Sequence, residues 1–261
     1  MTLPALLHDA LIAPPTLTIA LSGGIDSLTL SAAAARARGA AKVSLCHAVS
    51  PAVPAAATAR ARHFAADRGL SLRIVDAGEF ADESYRANPV NRCYFCKSNL
   101  YGTLSRMAQV VAAGTNLDDL SDYRPGLLAA DEHGVLHPFV AARMTKQDVR
   151  ALARTLGLGD LAELPAAPCL ASRIETGLRV DPADLKVIDA VEARLRDALG
   201  NVTLRCRRLR IGWVIEIASD VHARMSAAQR ADIRAMVGAA TPDDRPVALR
   251  PYEKGSAFVH G

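Results

Sequence analysis

A short apolar segment that runs into a glycine-containing turn, and from there into a helical pattern, constrains this chain more than any other feature of its sequence. Residues 16–21 are apolar and rich in β-forming side chains, which predicts a strand that stops at Ser22. Residues 25–38 have the spacing of a helix, and Gly39 marks its end. A helix that begins directly after such a turn leaves backbone N–H groups and the positive end of its dipole available to an anion.

The same alternation of strand and helix continues through the first half of the chain. Strands are predicted at residues 42–47, 71–76 and 110–113, and helices at residues 55–68 and 97–107. Strands that alternate with helices predict an α/β fold, with a parallel sheet, right-handed crossovers and helices on both faces. Ligands of such sheets bind at the carboxyl ends of the strands, so Ser22 and Gly114 both lie at the expected binding edge.

The pattern changes after Gly177. A charged amphipathic helix is predicted at residues 181–199, followed by paired strands at 202–209 and 214–217 and a helix at 227–237, which together indicate a small α+β domain. Residues 165–177 contain prolines and a glycine and are the expected linker. A length of 261 residues suits one larger and one smaller unit. We therefore predict domains at residues 1–170 and 171–261, the second for substrate binding or oligomerisation.

Charge and cysteine content narrow the classes of function. The net charge is only +4, but Arg205, Arg207, Arg208 and Arg210 form a cluster that suits an anionic small molecule at least as well as a nucleic acid. The alternative is a solvated cationic strand face. We find no signal-peptide pattern at residues 1–12 and no apolar run of about 18 residues, so we expect a cytoplasmic protein without a membrane span. Five cysteines without an export signal favour metal binding or a reactive thiol over disulfides.

The turn between the first strand and helix has the sequence Ser22-Gly-Gly-Ile-Asp-Ser27. Gly23 and Gly24 would let the backbone approach a phosphate, and Ser22 and Ser27 would add hydroxyl donors. Asp26 is the predicted ligand of a Mg²⁺ ion. The alternative is an ordinary capped helix start, because serine and aspartate are good caps.

As a whole, this string resembles the PP-loop signature of ATP pyrophosphatases, whose fold is of the adenine nucleotide alpha hydrolase type. It lacks the Gly-Lys-Ser/Thr ending of the Walker loop, so the resemblance implies that ATP is cleaved between its α- and β-phosphates. Gly114, Thr115 and Asn116 follow a predicted strand, and similar strings in this superfamily approach the nucleotide from the opposite side. By itself the second string is equally compatible with a polar turn.

Three cysteines form a second candidate constellation. Cys93 and Cys96 are three residues apart, which would place them on one turn if this segment is helical and suits a shared metal or a redox pair. With Cys169 they supply ligands for three irons of a [4Fe-4S] cluster and leave the fourth iron open to an extra sulfur. Structural zinc normally takes four protein ligands, and His47 or Cys46 would have to complete such a site. Incidental packing thiols remain the alternative for the pair, and we predict structural roles for Cys46 and Cys206.

Taken together, the motifs resemble those of the LarE family of ATP-dependent sulfur insertases, which make the thiocarboxylates of the nickel-pincer nucleotide cofactor of lactate racemase. The resemblance covers most of the first 180 residues and continues more loosely to the end. The segments that carry it are Ser22–Ser27, Asn91–Lys97, Gly114–Asp119, Asp122-Tyr-Arg-Pro-Gly126, Lys146 with Val149-Arg150, and Pro168–Arg173. Lys97, Arg205 and Arg207 join the predicted ligand-binding residues on this basis, the two arginines for the phosphate of a mononucleotide.

The resemblance implies a defined chemistry. A carboxylate of pyridinium-3,5-biscarboxylic acid mononucleotide attacks the α-phosphate of ATP, and sulfur then displaces AMP from the acyl-adenylate. In one branch of the family the residue that matches Cys169 gives up its own sulfur and becomes dehydroalanine. Another branch binds an iron–sulfur cluster through three cysteines, and Cys93, Cys96 and Cys169 make this chain similar to that branch. The tail from Pro251 to Ser256 follows the family pattern only in part.

Three rival functions are weighed against this hypothesis. A tRNA thiolase would be expected to carry a strongly basic RNA-binding extension, which the sequence lacks, so nucleic acid is not an expected partner. An amide ligase that uses the same adenylation would leave the three cysteines without a role. A non-enzymatic nucleotide-binding module would bind ATP without releasing pyrophosphate. We also expect the protein to be a homo-oligomer.

Overall fold

The computed structural model describes residues 2–121, 125–165, 168–200, 202–241, 243–253 and 256. The chain forms two compact units. The larger consists of Met1–Asp82 and Asn91–Ala167, and the smaller of Glu83–Val90 and Pro168–Gly261. The helices are α1 (Ala5–Ile12), α2 (Ile25–Arg38), α3 (Ala55–Asp67), α4 (Glu83–Arg86), α5 (Arg92–Ser105), α6 (Pro125–Glu132), α7 (Pro138–Ala141), α8 (Lys146–Thr155), α9 (Pro182–Leu199), α10 (Ser219–Arg224) and α11 (Ala227–Ala240).

The larger unit is built on a four-stranded sheet in which all described neighbours are parallel. Its strands are β1 (Thr18–Ala20), β2 (Ser44–Ala48), β3 (Ser71–Val75) and β4 (Val111–Ala112), in the spatial order β3-β2-β1-β4. The predicted α/β fold with a parallel sheet and flanking helices is confirmed. Strand β1 lies in the centre, so the turn at Ser22 leaves from the middle of the carboxyl edge.

Apolar side chains on the helices and strands of the larger unit pack into one main core. Leu28 and Leu30 of α2, Ile19 of β1 and Leu45 of β2 are all buried in it, together with Val149 of α8. Helix α2 ends at Gly39, whose positive φ of 85° closes the helix as the sequence predicts. The core contacts of Leu28 and Leu30 hold the first turns of α2 in place.

Helix α1 was not foreseen in the sequence, and one arginine explains how it is held. The Arg38 guanidinium donates to the carbonyl oxygens of Leu11 and Pro14 at 2.8 Å and of Pro15 at 3.0 Å. These carbonyls belong to the end of α1 and the segment that leads into β1. A cation at the end of a helix satisfies carbonyls that have no partner within the helix.

The smaller unit is the predicted α+β arrangement with one strand more. Strands β5 (Leu204–Leu209) and β6 (Gly212–Ile217) are antiparallel, as predicted, and β7 (Val247–Pro251) pairs in parallel with β6. Asp181 caps α9 through a hydrogen bond from the backbone of Ala183 at 2.8 Å.

The segment Glu83–Val90 belongs to the smaller unit because its backbone bonds to residues beyond 170. Gly177 N–H donates to Asn88 O at 2.9 Å, and Val180 N–H donates to Arg86 O at 2.8 Å. No helix in the described parts of the chain has the length and apolar character needed to cross a membrane.

Candidate active site

The turn after β1 is held in shape by its own hydroxyl groups. Ser22 N–H donates to Ser27 Oγ at 3.1 Å, and Ser27 Oγ–H donates to Gly24 O at 3.0 Å. Ser22 Oγ accepts from Gly24 N–H at 3.3 Å. The two hydroxyls predicted as phosphate donors therefore also close the loop on itself.

The glycines of the turn are required by its surroundings. Gly23 has a φ of 78°, and a Cβ atom there would lie 2.5 Å from the carbonyl oxygen of Ala57 in α3. Arg60 of the same helix donates from Nε to Gly23 O at 2.6 Å. Gly24 is the N-cap of α2, and no side chain caps this helix in the part of the chain that the structure describes. The first N–H groups of α2 are thus presented at the carboxyl edge of the sheet, a position suited to an anion.

The second predicted loop lies directly against the first. A Cβ atom on Gly114 would stand 2.8 Å from Asp26 C and Ser27 N, so only glycine permits this approach. Asn116 donates from Nδ2 to Asp26 Oδ1 at 3.4 Å. Thr115, between Gly114 and Asn116 in the chain, is half-buried. The structure therefore brings Gly114 and Asn116 to the same aspartate that the sequence predicts as a magnesium ligand.

Lys146 is the main addition that the tertiary structure makes to this site. Its Nζ lies 2.6 Å from Asp26 Oδ1 and 2.5 Å from Asp26 Oδ2, and the side chains are 31% and 28% exposed. Lys146 is the first residue of α8, which starts with a capping box between Thr145 and Asp148. The sequence marked Lys146 only as part of a family-like segment; nothing in its local pattern indicates a partner 120 residues away.

His47 braces the end of β1 through both of its ring nitrogens. Its Nδ1 lies 2.7 Å from Leu21 O, and its Nε2 lies 2.9 Å from Thr58 Oγ1. Burial lowers the pKa of His47, and the charge of Arg62 adds to this, although the hydrogen bond to Leu21 opposes it. A neutral imidazole that donates from Nδ1 and accepts from the Thr58 hydroxyl satisfies both contacts. Cys46 beside it is buried, and burial raises the pKa of its thiol despite the nearby charge of Arg73.

Cys93 and Cys96 lie in the first turns of α5, which begins at Arg92, whereas the sequence predicts this helix only from residue 97. Cys93 is exposed and Cys96 is half-buried. Lys97 Nζ stands 5.8 Å from the centre of the Tyr101 ring. Gly126 of α6 packs against the same helix, since a Cβ atom there would lie 2.9 Å from Lys97 Cγ. The residues that precede this contact in the family-like segment, Asp122, Tyr123 and Arg124, lie outside the described residues.

Cys169 lies in the smaller unit, at the start of a 3-10 turn formed by Leu170–Arg173. It is half-buried, whereas Cys206 is fully buried, and burial raises the pKa of the Cys206 thiol well above its usual value. Three thiols that retain some solvent exposure are a suitable donor set for an iron–sulfur cluster. Among the described residues, however, no group of three or more His, Cys, Asp or Glu side chains is arranged to hold a metal ion. The cluster stays a prediction.

Three of the four clustered arginines, Arg205, Arg207 and Arg208, lie on β5, and Arg210 follows its end. Arg205 and Arg207 share one face, because side chains alternate along a strand. Arg207 is buried and donates from Nε to Glu216 Oε2 at 2.7 Å, while the Arg205 guanidinium lies 5.8 Å from the centre of the Tyr252 ring. Burial lowers the pKa of Arg205, and the neighbouring charge of Arg173 adds to this.

The other two arginines have different partners. Arg208 lies over the Trp213 ring at 5.5 Å, and the exposed Arg210 pairs with Glu175 at 3.1 Å. Glu216 also accepts from Arg250 at 2.7 Å, and Arg250 is a cation near Arg207 that sequence reasoning missed. Local charge density alone gives no indication of it, since Arg250 lies on β7.

Known proteins from three organisms are similar to this chain. No protein-family model matches the chain. An uncharacterized protein of Synechocystis is 38% identical over 72% of this chain and 71% of its own length. An uncharacterized protein of Methanocaldococcus jannaschii is 31% identical over 78% of each chain. The pyridinium-3,5-bisthiocarboxylic acid mononucleotide synthase of Lactiplantibacillus plantarum is 30% identical over 73% of this chain and 70% of its own. The chain therefore belongs to the family of this synthase, the LarE family that its motifs resemble.

Proposed function

We propose that this protein is an ATP-dependent sulfurtransferase that converts carboxylates of pyridinium-3,5-biscarboxylic acid mononucleotide to thiocarboxylates. The observation that carries the proposal is the convergence of Gly114, Asn116 and Lys146 on Asp26, beside the uncapped start of α2. This is a site for a polyphosphate with its magnesium ion. The name of the synthase from L. plantarum supplies the class of acceptor.

The first step is activation of the carboxylate. A carboxylate oxygen attacks the α-phosphorus of ATP, the bond from the α-phosphorus to the bridging oxygen breaks, and pyrophosphate leaves with the electron pair. The N–H groups at the start of α2 bind the phosphate oxygens and stabilise the charge that develops on them. The product is an acyl-adenylate with AMP as a good leaving group.

Asp26 and Lys146 have complementary tasks in this step. Asp26 is the residue that would hold Mg²⁺, and Lys146 is free to neutralise phosphate charge once Asp26 has that cation. Binding of magnesium and ATP then exchanges one ion pair, at 2.5 Å, for two new ones. Because Lys146 and Asp26 are both partly exposed, this exchange requires little desolvation.

The acceptor is held through its phosphate by arginines of the smaller unit. Arg205 and Arg207 share one face of β5, and Arg250 adds a third guanidinium next to Glu216. Glu216 neutralises part of this charge and fixes the direction of the Arg207 fork. Arg205, which lies beside the Tyr252 ring, and Arg207 are the arginines we assign to phosphate binding.

Sulfur then displaces AMP at the acyl carbon, as a thiolate or sulfide is a strong nucleophile near neutral pH. Cys93, Cys96 and Cys169 would hold a [4Fe-4S] cluster, which would supply a site for an additional sulfur. The alternative source is Cys169 itself. Its thiolate would attack the acyl carbon, and loss of the Cα proton to solvent with cleavage of the Cβ–S bond would leave dehydroalanine.

The experiment uses protein purified under anaerobic conditions and incubated with ATP, Mg²⁺ and the biscarboxylic mononucleotide. Pyrophosphate, AMP and thiocarboxylate should form only when all three are present. Release of pyrophosphate that depends on tRNA instead of the mononucleotide would make the protein a tRNA thiolase. ATP binding without any release of pyrophosphate would leave only a nucleotide-binding module.

The same preparation identifies the sulfur source. We expect iron and acid-labile sulfide in the wild type and their loss in Cys93→Ala, Cys96→Ala and Cys169→Ala, with Cys46→Ala as the control that retains them. An active wild type that is colourless and free of iron would contradict the cluster. In that case the intact mass after turnover should show loss of hydrogen sulfide from Cys169 and no change at Cys93 or Cys96.

A further inference from the structure

One buried arginine holds the backbone on both sides of Cys169. The Arg173 side chain is only 2% exposed and that of Glu192 1%, and they form a two-point ion pair through Nε at 2.9 Å and Nη2 at 3.0 Å. The remaining nitrogen, Nη1, donates to Pro168 O at 2.8 Å and to Cys169 O at 3.2 Å. The carbonyls before and after the Cys169 Cα atom are therefore bound by the same guanidinium.

The 3-10 turn that carries Cys169 is further closed by Ser172. Its Oγ–H donates to Cys169 O at 2.8 Å, and its N–H donates to the same oxygen at 3.0 Å. Ser172 Oγ also accepts from Arg173 Nη1 at 3.0 Å. Cys169 O thus has three donors, one of which is a buried cation.

The same ion pair is bonded to the strand that carries the predicted phosphate-binding arginines. Glu192 Oε1 accepts from the backbone N–H of Cys206 at 3.1 Å, and Cys206 lies between Arg205 and Arg207 on β5. Arg207 Nη1 in turn donates to Ser172 O at 3.3 Å. Glu192 and Arg173 therefore connect the Cys169 turn to β5 within one hydrogen-bonded network.

Glu192 stays ionised in this network. Burial alone would raise the pKa of Glu192, but the hydrogen bond and charge of Arg173, the Cys206 N–H and the charge of Arg196 together hold it below its usual range. A carboxylate satisfied in this way keeps the Arg173 fork in a single orientation.

We propose that Arg173, oriented by Glu192, is a positioning residue that fixes Cys169 relative to Arg205 and Arg207. The inference rests on the proposed function for the roles of Cys169 and the two arginines. Transfer of sulfur requires the reacting atoms to approach within about 3–3.5 Å of each other. A substrate held by its phosphate on β5 meets this condition only if Cys169 has a fixed place relative to that strand, and the Arg173–Glu192 pair provides it.

Arg173→Lys is the test substitution, because it keeps the positive charge and removes the planar guanidinium with its several N–H donors. A single ammonium group cannot bind Glu192 at two points and also hold both carbonyls beside Cys169. Arg196→Lys is the matched control. Arg196 bonds to the same Glu192 carboxylate at 2.6 Å, but its side chain is 42% exposed and it binds from the next turn of α9.

The first measurement needs neither ATP nor substrate. Protein purified without added iron is treated with iodoacetamide, and modification of each cysteine is followed by peptide mass spectrometry. We expect Cys169 to react at least about threefold faster in Arg173→Lys than in the wild type, since the turn opens locally. Cys93 and Cys96 serve as internal references and should be unchanged, and Arg196→Lys should resemble the wild type at all three.

The second measurement is the thiocarboxylate assay. Arg173→Lys should lower kcat by roughly 10- to 100-fold and leave the KM of the mononucleotide within about threefold, because misplacement of a reacting group affects the chemical step. If Arg173→Lys does not fold, Ser172→Ala removes one donor from Cys169 O and should change both measurements in the same direction by a smaller factor.

Two results would overturn the inference. One is an equal change in the alkylation rate of Cys169 in Arg173→Lys and Arg196→Lys. The other is a parallel rise in the alkylation rates of Cys93, Cys96 and Cys169 in Arg173→Lys, which would show that the substitution only loosens the whole protein. If the wild type makes no thiocarboxylate, the proposed function fails, but the alkylation rates still decide whether Arg173 positions Cys169.

Discussion

Replacement of Gly114 by alanine tests the close approach of the two loops at the proposed nucleotide site. The added Cβ atom would lie 2.8 Å from Asp26 C and Ser27 N and 3.0 Å from Asp26 Cβ. Ordinary contacts begin at 3.4 Å, so the Gly114 loop and the start of α2 must separate by about 0.6 Å or more. The backbone of Gly114 does not have a positive φ in the range that disfavours alanine. The effect is therefore steric and is located at the site itself.

The magnitude follows from this displacement. Overpacking of this kind costs about 1–3 kcal/mol, which corresponds to a fall in Tm of roughly 2–12 °C for a chain of this size. A shift approaching 1 Å in a phosphate-binding loop can reduce the rate of the chemical step by about 100-fold. We therefore expect a modest loss of stability and a large loss of ATP-dependent pyrophosphate release.

The assay compares Gly114→Ala with Gly102→Ala. Gly102 lies within α5 of the same unit, and a Cβ atom there would lie at ordinary contact distances of 3.5 Å from His133 Cε1 and 3.9 Å from His133 Nε2. Gly102→Ala should retain activity and gain up to about 1 kcal/mol from helix propensity. Thermal melts, ATP titration by calorimetry and pyrophosphate release are measured for both. Wild-type ATP affinity and pyrophosphate release in Gly114→Ala would refute the assignment of this contact to the nucleotide site.

Three further predictions concern other residues of the larger unit. Lys146→Ala should lower pyrophosphate release at least about tenfold but change the free energy of unfolding by less than about 1 kcal/mol, because its pair with Asp26 is partly exposed; a wild-type rate would contradict the role of Lys146. Since burial lowers the pKa of His47, its contribution to stability is complete above about pH 6.5 and is lost as the pH falls through the folded-state pKa. Between pH 7 and pH 5, the free energy of unfolding measured in urea should therefore fall less in His47→Gln than in the wild type. Equal falls would exclude His47 as a source of the pH dependence. Arg38→Ala removes the donors to the carbonyls at the end of α1 and should cost about 2–3 kcal/mol in a urea melt, whereas a change below about 0.5 kcal/mol would mean that α1 is held by its apolar face alone.

The sequence predicts features of this protein that depend on neighbours in the chain. The strands and helices of the parallel sheet follow from short apolar runs, helical spacing and terminal glycines. The structure places most of them within a few residues of the predicted positions, although α5 begins at Arg92 and not at residue 97. The loop from Ser22 to Ser27 is also local, because its hydroxyls bond within the same six residues. The spacing of Cys93 and Cys96 is also local, but the helix that carries them begins at Arg92, before the predicted start at residue 97.

Contacts between distant elements required the tertiary structure. Which arginines have buried partners depends on the pairing of β5 with β6, and Arg250 joins Glu216 only because β7 adds to the same sheet in parallel. Among the described residues no side chain caps α1, and the carbonyl at its end is bound by Arg38, 27 residues from Leu11. Such contacts carry no local pattern, because they are chosen by the packing of whole elements.

The proposed nucleotide site depends on both local sequence and tertiary contacts. Local sequence determines the strand, the turn and the uncapped helix start, since backbone geometry and hydrogen bonds within six residues suffice to form them. Only the tertiary structure brings Lys146 to Asp26 across 120 residues, because the parallel order β3-β2-β1-β4 sets which helix starts meet at the carboxyl edge. The sequence alone predicts where an anion binds, and the fold decides which charges surround it.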